Sequence, residues 1–109
     1  MHALTVNAIE KPTTRDERSL QEANHKLFQS LREMAIQNGW PLDSADNGLY
    51  CLTNEKEFAA CFATDPIVRE LCKNMVRLSN KKIKTRFKNF INSITNVIIG
   101  RSVFNTTKS

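Results

Sequence analysis

Glycine, proline and tyrosine are scarce here: three, three and one among 109 residues. A many-stranded β fold needs turn residues and aromatic or β-branched runs at short intervals, so this composition argues against that class. Cysteine occurs in an odd number, as Cys51, Cys61 and Cys72, at spacings of ten and eleven. Disulfide frameworks and zinc sites both favour short paired spacings, so reduced thiols are expected. No apolar run approaches the ~20 residues needed to cross a bilayer. The opening MHALTVNAIEK has neither the basic start nor the apolar core of a secretion signal. These absences predict a protein without a membrane partner, cytoplasmic or associated with a nucleoid or nucleus.

Signatures of catalysis are missing too. There is no glycine-rich phosphate loop, no HExxH and no GxSxG. The two histidines, His2 and His25, lack the nucleophile and orienting partner that a catalytic base requires. Nothing in the spacing pairs His25 with Cys51, Cys61 or Cys72. No catalytic residue, metal ligand or cofactor is therefore expected.

What is present is an ordinary globular balance, 40% hydrophobic and 25% charged, which argues against wholesale disorder. At this length there is room for one domain. The charge, +5 in total, is divided: residues 1–68 carry −4 and residues 69–109 carry +9, with Glu70 the one acid of the second part. Such asymmetry attracts polyanions at long range.

Apolar periodicity predicts an all-α protein, a small bundle of about four helices over roughly 15–38, 54–63, 66–78 and 80–99. Residues 1–13 read as a flexible arm, with LTVNAI a candidate short strand, and 14–100 as the domain. Thr14 and Glu17 have capping-box spacing, and Leu20, Ala23, Leu27, Leu31, Met34 and Ala35 then keep one stripe until Asn38-Gly39 stops the helix. Residues 39–53 form a long irregular connection. It has a turn at Asp46-Asn47-Gly48 and packs through Trp40, Leu49 and Leu52. Thr53 or Asn54 caps the second helix, and Asp65-Pro66 starts the third.

The third helix shows the stripe Ile67, Leu71, Met75 and Leu78; the fourth shows Ile83, Phe87, Phe90, Ile91, Ile94 and Ile98. On a wheel of about 100° per residue the two stripes lie roughly 150° apart. A break at Ser79-Asn80 is therefore expected, against the alternative of one rod over 66–99. Gly100 is read as the end of the last helix and 101–109 as a tail.

The informative cluster is basic. Arg69, Lys73 and Arg77 fall at i, i+4 and i+8, followed by Lys81, Lys82, Lys84, Arg86 and Lys88. Soluble helices usually mix signs to gain i,i+4 pairs worth ~0.2–0.5 kcal/mol each. Cations at a helix N-terminus are disfavoured by ~0.3–1 kcal/mol each. A helix opening SNKKIKTRFK accepts both penalties, and an anion there would remove them. Phosphates are the candidate ligand, with Thr85, Asn89, Asn92 and Asn96 as neutral donors.

Base reading is harder to support. Two helices joined by Thr64-Asp65-Pro66 have the outline of a helix-turn-helix, yet the turn lacks the usual glycine. Aromatic platforms for stacking are missing as well, because Phe87 and Phe90 fall on the buried stripe.

The sequence therefore predicts a small basic accessory or regulatory protein that binds DNA or RNA phosphates with little sequence specificity. The competing expectation is a protein-interaction module, an adaptor or an inhibitor of a larger nucleic-acid enzyme. It would use the same face on an acidic or nucleoprotein partner, and self-association as a homodimer is compatible with either.

Overall fold

The computed structural model of the protein describes residues 8–42 and 48–108, with side chains described as far as residue 99. Four α-helices follow in order: α1 (Arg15–Gln37), α2 (Glu55–Thr64), α3 (Pro66–Arg77) and α4 (Lys81–Lys108). A 3-10 turn, Leu49–Leu52, precedes α2. No strand occurs among the described residues. The expected all-α bundle is the observed one.

Local chemistry explains each boundary. At the start of α1 the Thr14 hydroxyl accepts from the Glu17 N–H at 3.1 Å. The Glu17 carboxylate in turn accepts from the backbone N–H groups of Thr13 and Thr14, both at 3.1 Å, closing the capping box. At its end Gly39 adopts φ +69°, and the Trp40 and Gly39 N–H groups reach back to the Ala35 and Ile36 carbonyls. That is the Schellman arrangement, which satisfies carbonyls a helix end would otherwise leave orphaned. Asn54, not Thr53, caps α2 by accepting from Lys56 N–H at 3.0 Å.

One residue separates α2 from α3. Asp65 ends the first and caps the second, accepting from Ile67 N–H at 2.9 Å. Pro66 follows, where its missing N–H costs nothing.

The core is a chain of aromatic rings. Phe28 meets Phe58 at 5.8 Å, Phe58 meets Phe90 at 5.5 Å, and Phe62 lies 5.2 Å from Phe90 and 6.0 Å from Phe87. It ties α1, α2 and α4 together, and Leu20, Leu27, Leu31 and Ala35 close it from the α1 side. The most extensive packing is between α1 and α4. Leu49, Cys51 and Leu52 of the 3-10 turn are buried and Trp40 packs against the cluster, as the connection was expected to do.

Four expectations need correction. Residues 8–10 are helical and Ala8 and Ile9 are buried in the core, where Gln21 Nε2 donates to the Ile9 carbonyl at 2.8 Å. The inner end of the arm is thus packed; residues 1–7, which hold most of the LTVNAI reading, lie outside the described residues. The Asp46-Asn47 part of the turn lies outside them too, while Gly48 has the positive φ, +77°, that the reading required.

The inner face of α3 is Val68, Cys72, Met75 and Val76. Ile67 and Leu78, expected inside, are 54% and 74% exposed. The apolar side of α3 is broad, and packing against α2 and α4 covers the part centred on Cys72 while leaving its Ile67/Leu78 edge in water. The break at Ser79-Asn80 is real, but the phase argument for it is not. The fully buried sets Val68/Cys72/Met75/Val76 and Phe90/Ile94/Val97 centre within about 25° of each other on a common wheel. The chain turns because α4 packs along α1, and Asn80 caps the new helix by accepting from Ile83 N–H at 3.0 Å.

Finally, α4 passes through Gly100 to Lys108. An internal glycine costs a helix roughly 0.5–1 kcal/mol, which weakens it without ending it.

Candidate nucleic-acid interface

The eight cations singled out above separate into two kinds once their partners are known. Each arginine spends a donor on an acceptor within the chain, Arg69 and Arg86 at part-buried positions and Arg77 at the surface. Arg69 Nη1 donates to the Phe62 and Ala63 carbonyls at 3.3 and 3.0 Å, capping the C-terminal end of α2. Arg77 Nη2 donates to Asn74 Oδ1 at 2.7 Å. Arg86 Nη1 donates to Ser30 Oγ at 2.7 Å, and that hydroxyl donates to the Lys26 carbonyl at 2.9 Å, so the guanidinium clamps α4 to α1.

The lysines are different. Lys73, Lys81, Lys82, Lys84 and Lys88 are exposed, and among the described residues no carboxylate pairs with any of them. Among the described residues the contacts with carboxylates lie elsewhere: Lys26 pairs with Glu22, and His25 Nδ1 lies against Glu55 Oε1, each at 2.9 Å. Among the described residues, the acids of the leading half therefore do not pair with these lysines.

These cations do not form one face. On the α4 wheel Lys81, Lys84 and Lys88 fall within about 60° of one another, while Lys82 and Arg86 lie about 150° round the helix from that row. The second pair borders a cleft against α1 that Glu33 also lines, so that flank is electrically mixed. The lysine row has no acid beside it on α4, whose first turn contains none. Asn89 and Asn92 are exposed between the two cation groups.

At the head of α4 the Asn80 side chain occupies the Ile83 N–H, and Lys84 N–H bonds to the Asn80 carbonyl at 3.2 Å. The positive end of the helix dipole therefore coincides with Lys81, Lys82 and Lys84, a local potential suited to an anion.

The remaining reactive groups lie away from this face. Cys51, Cys61 and Cys72 are free thiols, the first and last buried. Contact with Cys51 and burial push the Cys72 thiol well above its ordinary range, and burial raises Cys61, which leaves both poor nucleophiles. Their convergence was invisible in spacings of ten and eleven. The Tyr50 hydroxyl donates to Asp65 Oδ2 at 2.6 Å. That bond lowers the Asp65 carboxyl below its usual range and raises the Tyr50 phenol. No group of three or more metal-binding side chains occurs among the described residues. No helix among them is long and apolar enough to cross a membrane.

Sequence reasoning missed the structural work of the arginines. The signal was available only for Arg69, which stands four residues after the cap Asp65 and so reaches the end of the preceding helix. No family model matches this chain, and the comparisons with curated proteins and with solved structures gave no match either.

Proposed function

We propose that this protein is a nucleic-acid-binding accessory or regulatory factor that grips phosphates through α4. Lys81, Lys84 and Lys88 supply the principal contacts, with Lys73 and Lys82 adding to the field. The observation that carries this reading is the row of exposed lysines that has no carboxylate partner among the described residues, beside an acid-free helix N-terminus. A solvated lysine face normally intersperses acids to gain i,i+4 pairs; this one does not. Phosphate contacts position a protein on a strand and carry affinity, not sequence. No chemical step is assigned to the protein.

The test is a gel-shift series over salt with duplex and single-stranded probes. Log K should fall by roughly 0.7–0.9 per phosphate contact against log salt. Failure to bind either probe at low salt would end the reading.

A second reading has its own observation in Ile67 and Leu78, 54% and 74% exposed along the outer side of α3. Apolar side chains presented beside Lys73 and Arg77 suit a protein-interaction module. That role would give a complex from lysate that survives nuclease treatment, together with weak intrinsic affinity for nucleic acid.

A further inference from the structure

Seven α4 side chains pack on the core: Phe90, Ile94 and Val97 fully, and Ile83, Phe87, Ile91 and Ile98 in part. Their mean direction defines the inner side of the helix. Almost diametrically opposite, about 170° round the wheel, lies a stripe of four neutral polar residues, Thr85, Asn89, Asn92 and Asn96. All four are exposed. The three asparagine amides make no hydrogen bond with any described residue, whereas Thr85 Oγ1 donates to the Lys81 carbonyl at 3.1 Å. Lys81, Lys84 and Lys88 flank the stripe about 75° to one side. The stripe spans Thr85 to Asn96, roughly 16 Å of helix at 1.5 Å per residue, without a carboxylate or a large apolar residue on it.

A solvated helix face has no need of this order. Asparagine is a poor helix former, worse than lysine or glutamate at an exposed position. Placing three of them on the outermost line of the longest helix lowers its stability with no internal bond in return. An asparagine amide is, however, the side chain that bonds an adenine edge in a bidentate way, through N6 and N7 in the major groove. The B-form major groove is about 12 Å wide and admits an α-helix. The A-form RNA groove is too narrow for side chains to read.

We infer that α4 enters the major groove of duplex DNA, with Asn89, Asn92 and Asn96 reaching base edges and the Lys81/Lys84/Lys88 row holding the phosphates of one bordering strand. This rests on the phosphate-binding reading and adds to it a choice of nucleic acid and a layer of base preference. The flank toward α1 takes less part, because Arg86 is tied to Ser30 and Glu33 lies in the adjoining cleft.

The experiment is affinity selection from a randomised duplex DNA pool, followed by binding to the selected duplex with adenine replaced by 7-deazaadenine, which lacks the N7 acceptor. A duplex RNA of the same sequence is the comparison. Selection should enrich an adenine-containing motif, and the 7-deaza duplex should bind roughly tenfold more weakly. The triple variant Asn89→Ala/Asn92→Ala/Asn96→Ala, which removes poor helix formers and so should fold, should bind natural and 7-deaza duplexes alike while keeping its salt dependence. Equal binding to duplex DNA and duplex RNA with no motif enriched would overturn the inference and leave phosphate binding standing. Absence of binding to every probe at low salt would remove both.

Discussion

Arg86 Nη1 lies 2.7 Å from Ser30 Oγ, joining α4 to α1 across a separation of 56 residues in the chain. A cation that sequence alone would count toward ligand binding is thereby a structural fastener. Its removal leaves the buried Ser30 hydroxyl without its donor and loosens the largest helix contact in the fold. Arg86→Ala should therefore lower stability by about 1–2 kcal/mol while changing phosphate affinity far less than a lysine substitution. Urea denaturation beside a gel shift separates the two effects. Loss of binding at unchanged stability would return Arg86 to the ligand-contacting set.

Lys84 and Lys88 make the opposite case. Both are exposed and without a carboxylate partner among the described residues, so Lys84→Glu/Lys88→Glu should leave the helical circular-dichroism signal and the melting point nearly unchanged, yet abolish nucleic-acid binding. The milder Lys84→Ala should reduce the salt slope by roughly 0.7–0.9. Retained affinity in the double variant would move the interface off this row.

The Tyr50–Asp65 bond gives the protein a two-sided pH dependence. Asp65 has a lowered pKa in the folded state, so its contribution is present above the unfolded value, about 3.9, and is lost as pH falls through the folded one. Tyr50 is raised, so its contribution holds below about pH 10 and is lost as pH climbs toward the folded value. Tyr50→Phe should destabilise the protein at neutral pH, with the difference from wild type narrowing toward both extremes. Melting curves from acid to alkaline pH check this; a difference constant across pH would assign the effect to packing.

Two glycines with positive φ offer an internal comparison. A Cβ at Gly48 would stand 3.3 Å from Ile67 Cγ2 and from the backbone N and Cα of Val68; at Gly39 it would meet nothing within 4 Å. Both alanine variants incur the left-handed strain, roughly 1–2 kcal/mol. Gly48→Ala should cost more, because the backbone of α3 cannot move aside. Equal midpoints in urea would mean that the 3-10 turn shifts to accommodate the methyl group.

Much of this molecule was legible before folding, and the legible parts share a cause. The Thr14/Glu17 box, the Asn38-Gly39 stop, the Asp65-Pro66 start and the Asn80 cap all depend on chemistry within a few residues of chain. Neighbours in sequence are neighbours in space there, so spacing suffices. The apolar stripes of α1 and α4 were readable for the same reason, since each offers a single continuous face.

Tertiary structure decided what depends on partners from elsewhere. It turned Val68, Cys72, Met75 and Val76 inward with Leu71 partly covered, and left Ile67 and Leu78 exposed, a choice that packing against α2 and α4 decided. It buried Ala8 and Ile9 and carried α4 through Gly100. It also divided the cations, committing Arg69, Arg77 and Arg86 to internal acceptors and leaving the lysines in water. A guanidinium carries five donors and reaches carbonyls and hydroxyls across an interface, whereas an ammonium on a flexible stem stays hydrated. The sequence by itself established that the last third is basic and helical; which of its charges stay in water and which bond within the protein was set by the packing of α4 along α1.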